Sequence, residues 1–322
     1  MLKIVFMGTP DFAVPTLESL VAWSGGQVVA VITAPDRPAG RGRQLQASAV
    51  KLAAEAYGLP VLQPTNLKSP EFQAELKGYA ADLQVVVAFR MLPEAVWSMP
   101  RLGSINIHAS LLPQYRGAAP INWALMHGEA ETGVTSFFLR HEIDTGDLIF
   151  QERVAIVPDD DFGSLYDKLK AVGADLARRS VEAIATGTAP STPQELRADL
   201  RPAPKLQKET GRLDFARPAA ELVNWVRGLA PVPTAFAALP DGRILKIFRA
   251  RALEAADAAG TVLAPPHPGH WATDGRRYLR VGTAAGWLDL LDVQLEGKKR
   301  MSVEEFLRGA GQSLNLDTPT SS

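Results

Sequence analysis

The chain has 322 residues, of which 46% are hydrophobic and 21% charged, with 34 basic against 35 acidic side chains and no cysteine. Disulfides, thiolate metal sites and cysteine nucleophiles are thereby excluded, and the composition is compatible with a reducing cytoplasm. The length predicts two domains with enough apolar mass for a sizeable core, and no apolar run approaches the ~20 residues that span a bilayer.

The amino-terminal run Met1 to Gly8 is too short for a signal peptide and reads as a first buried strand. Val- and Ile-rich runs at 2–8, 28–33, 82–88 and 103–108 alternate with helical spacing from Ser48 to Tyr57 and from Ser69 to Lys77. That alternation predicts an α/β fold, a Rossmann-like and mostly parallel sheet with helices on both faces. After the first strand comes Gly8-Thr9-Pro10-Asp11-Phe12, where a lone glycine stands in place of the three of a dinucleotide fingerprint, so a nicotinamide dehydrogenase is rejected. The segment from Ala34 to Gln44 reads as a long, flexible loop carrying Arg37, Arg41 and Arg43. It is either a solvated loop or a set of contacts to phosphates and base edges.

The densest signal is Ser104-Ile105-Asn106-Ile107-His108-Ala109-Ser110-Leu111-Leu112-Pro113. Residues two apart on a strand face the same way, so Asn106 and His108 point together while Ile105 and Ile107 enter a core. The Ser-Leu-Leu-Pro turn then leaves the pair at an open strand end, where α/β proteins build sites. A second polar cluster, Asp144-Thr145-Gly146-Asp147, is expected to close the next strand. A single Asp-Thr-Gly triplet does not make the carboxylate pair of an aspartic protease. The five histidines, at 108, 127, 141, 267 and 270, have no ligand spacing, so no metal is expected.

A longer helix is predicted from Gly163 to Ala185, with Leu165, Leu169, Val172, Leu176 and Ile184 on one stripe. Four prolines between Thr188 and Pro204 mark a linker, giving a catalytic domain over 1–187, a linker over 188–204, a second domain over 205–311 and a disordered tail over 312–322. In the second domain a helix from Ala219 to Gly228 precedes short strands around 244–248, 278–281 and 287–291, as in a small OB-like β-barrel. From Lys205 to Gly309 there are 16 Lys and Arg against 12 Asp and Glu, so this half carries +4 and the remainder −5. Such a mildly basic face is either a plain solvated surface or a surface for an RNA backbone, with Lys205, Lys208, Lys298, Lys299 and Arg300 as its candidate contacts.

Asn106, His108, the Ser110 to Pro113 turn, Arg116-Gly117-Ala118-Ala119-Pro120 and Gly133-Val134-Thr135 leading to Asp144-Thr145-Gly146 resemble the folate-dependent formyltransferases. Within that group the chain looks like the methionyl-tRNA formyltransferases from Met1 to about Gly309. The features that set it apart from other members are the Gly8 to Phe12 turn, the Pro35 to Arg43 loop, Gly297-Lys298-Lys299-Arg300-Met301 and Phe306-Leu307-Arg308-Gly309. The resemblance implies 10-formyltetrahydrofolate as formyl donor, the α-amine of initiator methionyl-tRNA as acceptor, and a monomeric, cytoplasmic enzyme with no membrane partner. An amino sugar nucleotide is the alternative acceptor, and a non-catalytic RNA-binding protein with the same fold is a further alternative.

It also implies that Asn106 and His108 hold the oxyanion of a tetrahedral intermediate. Asp144 relays protons, or orients His108 and stabilises its charged ring. The main chain of Ser110, Leu111, Leu112 and Pro113 contacts the folate, and Phe89, Arg90 and Met91 wall its pocket at a place where many members carry Tyr-Gly. Arg37, Arg41, Arg43 and the basic residues of the second domain meet the tRNA.

Overall fold

In the computed structural model, residues 1–39, 44–195, 198–253 and 267–309 are described. They form two compact units. The first comprises Met1–Pro120, Glu131–Ala155 and Tyr166–Pro204. The second comprises Ile121–Ala130, Ile156–Leu165 and the chain from Lys205 onward.

The first unit is built on β1 (Leu2–Gly8), β2 (Gly26–Ile32), β5 (Val61–Leu62), β6 (Leu83–Val87), β7 (Ser104–His108), β8 (Glu131–Phe138) and β9 (Leu148–Ala155). These lie in the order β5-β2-β1-β6-β7-β8-β9. The pairs from β5 through β7 are parallel and the last two are antiparallel. Every residue of β6 is buried, as a strand in a parallel sheet covered on both faces requires, and its one polar side chain, Gln84, accepts from Ser104 Oγ at 2.9 Å. Helices α1 (Val14–Val21), α2 (Ala49–Ala56), α3 (Pro70–Gly78) and α4 (Glu94–Trp97) supply the crossovers. Phe72, Leu76 and Val96 from these helices pack on Val5, Met7, Ala30, Ile32 and Val86 of the sheet.

Local chemistry sets the helix starts. Ser48 Oγ accepts from Lys51 N at 3.1 Å and Ser69 Oγ from Phe72 N at 3.2 Å, with Pro70 at the first helical position. Helix α5 (Pro120–Met126) precedes β8. Helix α6 (Phe162–Ala185) begins where Asp161 Oδ1 accepts from Ser164 N at 2.9 Å. Ser180 Oγ on α6 donates to Ser136 Oγ of β8 at 2.7 Å, which fixes this helix against the antiparallel end of the sheet.

The second unit carries β10 (Ala235–Ala238), β11 (Ile244–Leu253), β12 (Trp271–Thr273), β13 (Leu279–Gly282), β14 (Trp287–Leu295) and β15 (Met301–Ser302), all antiparallel. Their order is β10-β11-β14-β13-β12, with β15 on β14. The sheet curls into a half barrel, as expected for a small barrel, and among the described residues its edge strands β10 and β12 do not pair. Helix α7 (Ala219–Leu229) and helix α8 (Val303–Arg308) close the core. Leu222, Val226 and Leu229 meet Leu245, Ile247, Leu288, Val293 and Phe306 there. Met126 of α5 belongs to this core too, and Asn122 Nδ2 donates to Gly228 O at 2.7 Å. A Cβ on Gly228 would stand 2.5 Å from Met126 Cγ, so only glycine permits this approach.

Two expectations are corrected. The arginine segment is not an open loop in its described part: β3 (Arg37–Ala39) and β4 (Gln44–Gln46) pair antiparallel, with Arg37 opposite Gln46 and the apolar Pro38 opposite Leu45. The cluster Asp144 to Asp147 follows a turn after β8 and leads into β9, so it opens a strand instead of closing one. Arg41, Arg43 and the tail over 312–322 lie outside the described residues.

Candidate active site

The chain runs from β1 outward to β2 and β5, then returns to the other side of β1 for β6 and β7. Loops leaving β1 and β6 therefore diverge, and a crevice opens beyond their carboxyl ends. Gly8 allows the first of these turns to lie close to its neighbour: a Cβ there would stand 2.7 Å from Ala13 Cβ and 3.1 Å from Val87 O. Asp11 in that turn accepts from Tyr166 Oη at 2.7 Å and pairs with Lys170 at 3.2 Å. Burial pushes its carboxyl up, but the bonds from Tyr166 and Lys170 outweigh this and hold it below its ordinary value. Burial, and then Asp11, push the Tyr166 phenol well above its own.

Strand β7 places the central pair. Its residues Asn106 and Ile107 lie opposite Val86 and Val87 on β6, while Ile107 and His108 lie opposite Ser136 and Thr135 on β8. Ile105 and Ile107 are fully buried, and a Cβ added at Gly173 of α6 would be 3.5 Å from Ile107 Cγ2. Asn106 and His108 take the opposite face. Asn106 is half-buried, and among the described residues its amide has no hydrogen-bond partner. His108 is buried; Nε2 donates to Tyr115 O at 2.9 Å, since a carbonyl only accepts. Nδ1 faces Asp144 Oδ2 at 3.8 Å, outside hydrogen-bond length but within ion-pair reach of a protonated ring.

Asp144 has a left-handed backbone, φ 55°, and its Oδ2 accepts from Gly117 N at 2.9 Å. Its Oδ1 has no partner among the described residues. Two glycines make this geometry possible. A Cβ on Gly146 would stand 1.6 Å from Phe138 O, and one on Gly117, at φ 125°, 2.5 Å from Ala203 O.

The turn after β7 is fixed by β8 and β9. Thr135 Oγ1 donates to Ser110 O at 2.6 Å and accepts from Leu112 N at 3.1 Å; Gln151 Nε2 donates to Leu112 O at 2.8 Å. Ser110 Oγ donates to Gln114 O at 2.6 Å. The side chains of Ser110 and Leu112 are thus turned inward, and Leu111 and Pro113 are half-buried at the surface of the turn. Gly133 leaves room for Leu111, whose Cδ2 would lie 2.5 Å from an added Cβ. After β6, Phe89 packs on the sheet core, and Arg90 donates to Thr65 O at 3.1 Å and to Pro64 O. Burial, and then the charge of Arg37, lower the Arg90 pKa. Met91 is exposed.

The structure brings Asn106, His108 and Asp144 together although Asp144 stands beyond the whole of β8. The basic candidates fall in different places. Arg37 is on β3 opposite Gln46 in the first unit. In the second unit, Lys205 precedes the 3-10 turn Lys208–Gly211, and Lys298 and Lys299 are exposed in the turn after β14. Arg300 donates to Asp292 Oδ2 at 2.8 Å and stacks 4.6 Å over the Phe248 ring. Sequence reasoning missed Tyr115, Thr135, Gln151 and Gln194. Thr135 was legible as a polar residue on the alternation of β8. Gln194 carried no local signal: its Nε2 donates to Asp144 O and Gly146 O, both at 2.8 Å, from about fifty residues away.

A family model described as formyl transferase matches residues 2–181, more than half the chain, and one described as formyl transferase, C-terminal domain, matches 205–311. The chain belongs to the formyl transferase family. Relatives of this formyltransferase include the methionyl-tRNA formyltransferase of Bacteroides fragilis, 50% identical over 96% of this chain and 95% of the relative. The methionyl-tRNA formyltransferase of Parabacteroides distasonis is 50% identical over 97% and 96%. Among solved structures, a sugar 3N-formyl transferase superposes with TM-score 0.66 at 17% identity, covering 93% of this chain and 99% of that one. An N-formyltransferase from Helicobacter canadensis gives 0.65 at 18%, covering 94% and 100%. At such identities the likeness is one of fold.

Proposed function

We propose that this formyltransferase moves the formyl group of 10-formyltetrahydrofolate onto the α-amine of methionyl initiator tRNA, with Asn106, His108 and Asp144 as its catalytic residues. The acceptor rests on the half-identity, over nearly the whole length, to methionyl-tRNA formyltransferases. The chemistry rests on one observation: an amide on β7 with no bond among the described residues shares a strand face with an imidazole that faces a carboxylate.

The donor folate would lie in the crevice beyond β1, β6 and β7, against the main chain of 110–113 and the Phe89 to Met91 segment. Attack of the amine nitrogen on the formyl carbon forms a C–N bond and moves the carbonyl electron pair onto oxygen. Asn106 Nδ2 donates to that oxyanion, and a fixed donor of this kind contributes on the order of 10²–10³ in rate. His108 commits Nε2 to Tyr115 O, which leaves Nδ1 facing Asp144 Oδ2 at 3.8 Å, where the carboxylate orients the ring. Asp144 Oδ1, which has no bond among the described residues, accepts the proton of the attacking amine, directly or through one water. The oxyanion's electron pair then re-forms the carbonyl as the C–N bond to the folate nitrogen breaks, and the leaving nitrogen takes back the proton held on Asp144, which completes the transfer. Arg37 of β3, together with Arg41 and Arg43, and Lys205, Lys208, Lys298 and Lys299 of the second unit meet the tRNA backbone; Arg300 contributes through its Asp292-held position.

The test is formyl transfer from 10-formyltetrahydrofolate to methionyl initiator tRNA, with a nucleotide-linked amino sugar as the competing acceptor. Folate-dependent formylmethionyl-tRNA alone supports the reading. Consumption of the amino sugar instead reassigns the acceptor, and tRNA binding without folate-dependent product overturns the enzyme.

A further inference from the structure

We infer that Gln194 is a positioning residue for the Asp144 carboxylate, an inference that rests on the reading of Asp144 as a catalytic group. Gln194 lies in the Pro-rich stretch between Thr188 and Pro204, and its amide uses all of its hydrogen-bonding capacity. Its two Nε2 protons go to Asp144 O and Gly146 O at 2.8 Å each, and its Oε1 accepts from Arg116 Nε at 3.1 Å and Arg116 Nη2 at 2.6 Å. The residue after Arg116 is Gly117, whose N–H donates to Asp144 Oδ2 at 2.9 Å. The bonds therefore close a ring, in which Gln194 holds the main chain of Asp144 while the neighbour of its partner Arg116 holds the carboxylate.

This ring acts where the backbone needs it. Asp144 has φ 55°, a conformation that L residues adopt at a cost, and it persists only where the surroundings over-determine it. The strand of chain carrying Gln194 is itself anchored beside the turn. Thr192 and Leu148 exchange main-chain bonds at 2.8 and 3.0 Å, and Ser191 Oγ donates to Asp147 Oδ2 at 2.8 Å. On its other side Tyr115 N donates to Arg201 O and Ala203 N to Arg116 O, both at 2.8 Å. The segment thus ties together the turn that carries Asp144 and the loop that supplies the Tyr115 carbonyl to His108. Among the described residues the hydrogen bonds of the Gln194 side chain go to main-chain carbonyls and Arg116, so its effect falls on the placement of Asp144 and not on ground-state binding.

The experiment compares Gln194→Ala, Gln194→Glu, Asp144→Asn and the Gln194→Ala/Asp144→Asn double variant in steady-state formyl transfer, with thermal unfolding alongside. Gln194→Glu keeps an acceptor for Arg116 but replaces two donors by a carboxylate facing two carbonyls, so it isolates the clamp even if the alanine variant folds poorly. Both single Gln194 variants are expected to lower kcat by about 10- to 100-fold, the scale of a small misplacement of a reacting group, with KM for donor and acceptor within about twofold. In the Asp144→Asn background the further loss should shrink to under about threefold, because the two residues act as one. Unchanged kcat in Gln194→Glu, a loss confined to KM, or equal losses in both backgrounds would each overturn the assignment. Near-normal turnover of Asp144→Asn would overturn the reading of Asp144 itself, a different outcome from an inert Asp144→Asn beside fully active Gln194 variants.

Discussion

Asn106 and His108 are given different tasks by what surrounds them, although the sequence treats them as a pair. Among the described residues the Asn106 amide carries no other bond, so Asn106→Ala removes a donor without disturbing any bond among them. Its kcat should fall by about 10²–10³ with unchanged unfolding temperature, measured in formyl transfer under saturating donor and acceptor. His108 holds Tyr115 O as well, so His108→Ala should lose at least as much turnover and also unfold at lower temperature, since it removes both a buried ring and its bond to that carbonyl. At Gly146 the constraint is steric. Gly146→Ala would drive a Cβ to 1.6 Å from Phe138 O, and its destabilisation should exceed ~2 kcal/mol by denaturant unfolding, with activity lost in step.

At the scale of elements, the site depends on strands that bear none of its reacting groups. Thr135 on β8 donates to Ser110 O and accepts from Leu112 N and Gln151, so Thr135→Val preserves shape and abandons three bonds in a buried position. A loss of about 1–3 kcal/mol in stability is expected, together with a raised KM for the folate donor as the 110–113 turn loosens. The arginine hairpin is tethered at its base by Asp36, which accepts from Lys51 at 2.6 Å and from Gln63 at 2.7 Å. Those two bonds hold the Asp36 carboxyl below its ordinary 3.8, and the bond to Asp36 raises Lys51 above 10.5. A depressed carboxyl contributes above its unfolded pKa and loses that contribution as pH falls; a raised ammonium contributes below its unfolded pKa and loses it as pH rises. The tether is therefore intact between about pH 4 and pH 10. Hydrogen exchange of the β3 and β4 amides should stay slow across that window and quicken below it, while Asp36→Ala should be fast throughout. Such a variant should raise KM for tRNA more than KM for folate.

For the whole molecule, the proposed acceptor predicts electrostatics. A polyanion met by basic side chains in both units releases counterions, so log kcat/KM for tRNA should fall linearly with log salt, with a slope of about −0.9 per phosphate neutralised. Lys298→Ala combined with Lys299→Ala should flatten that slope and leave the KM for folate unchanged. The Asp292-held Arg300 is a separate case, because its loss also removes the stacking on Phe248 and an ion pair, and so lowers the stability of the half barrel.

What the sequence by itself determined was periodic or local. The buried strands β1, β6 and β7, the capped helices after Ser48 and Ser69, the long helix ending at Ala185 and the shared face of Asn106 and His108 all follow from spacings of two and 3.6 residues and from the chemistry of a few capping side chains. The tertiary structure alone decided what depends on chain segments distant in sequence. Examples are the approach of Asp144 to His108, the inward turn of Ser110 and Leu112, the hairpin at Arg37, and the Gln194 clamp. It also placed residues 121–130 and 156–165 in the second unit, well ahead of Lys205 in the chain. The reason is physical: a hydrogen bond between residues fifty apart leaves no period in the sequence, since its geometry exists only once the sheet has set the positions of both ends.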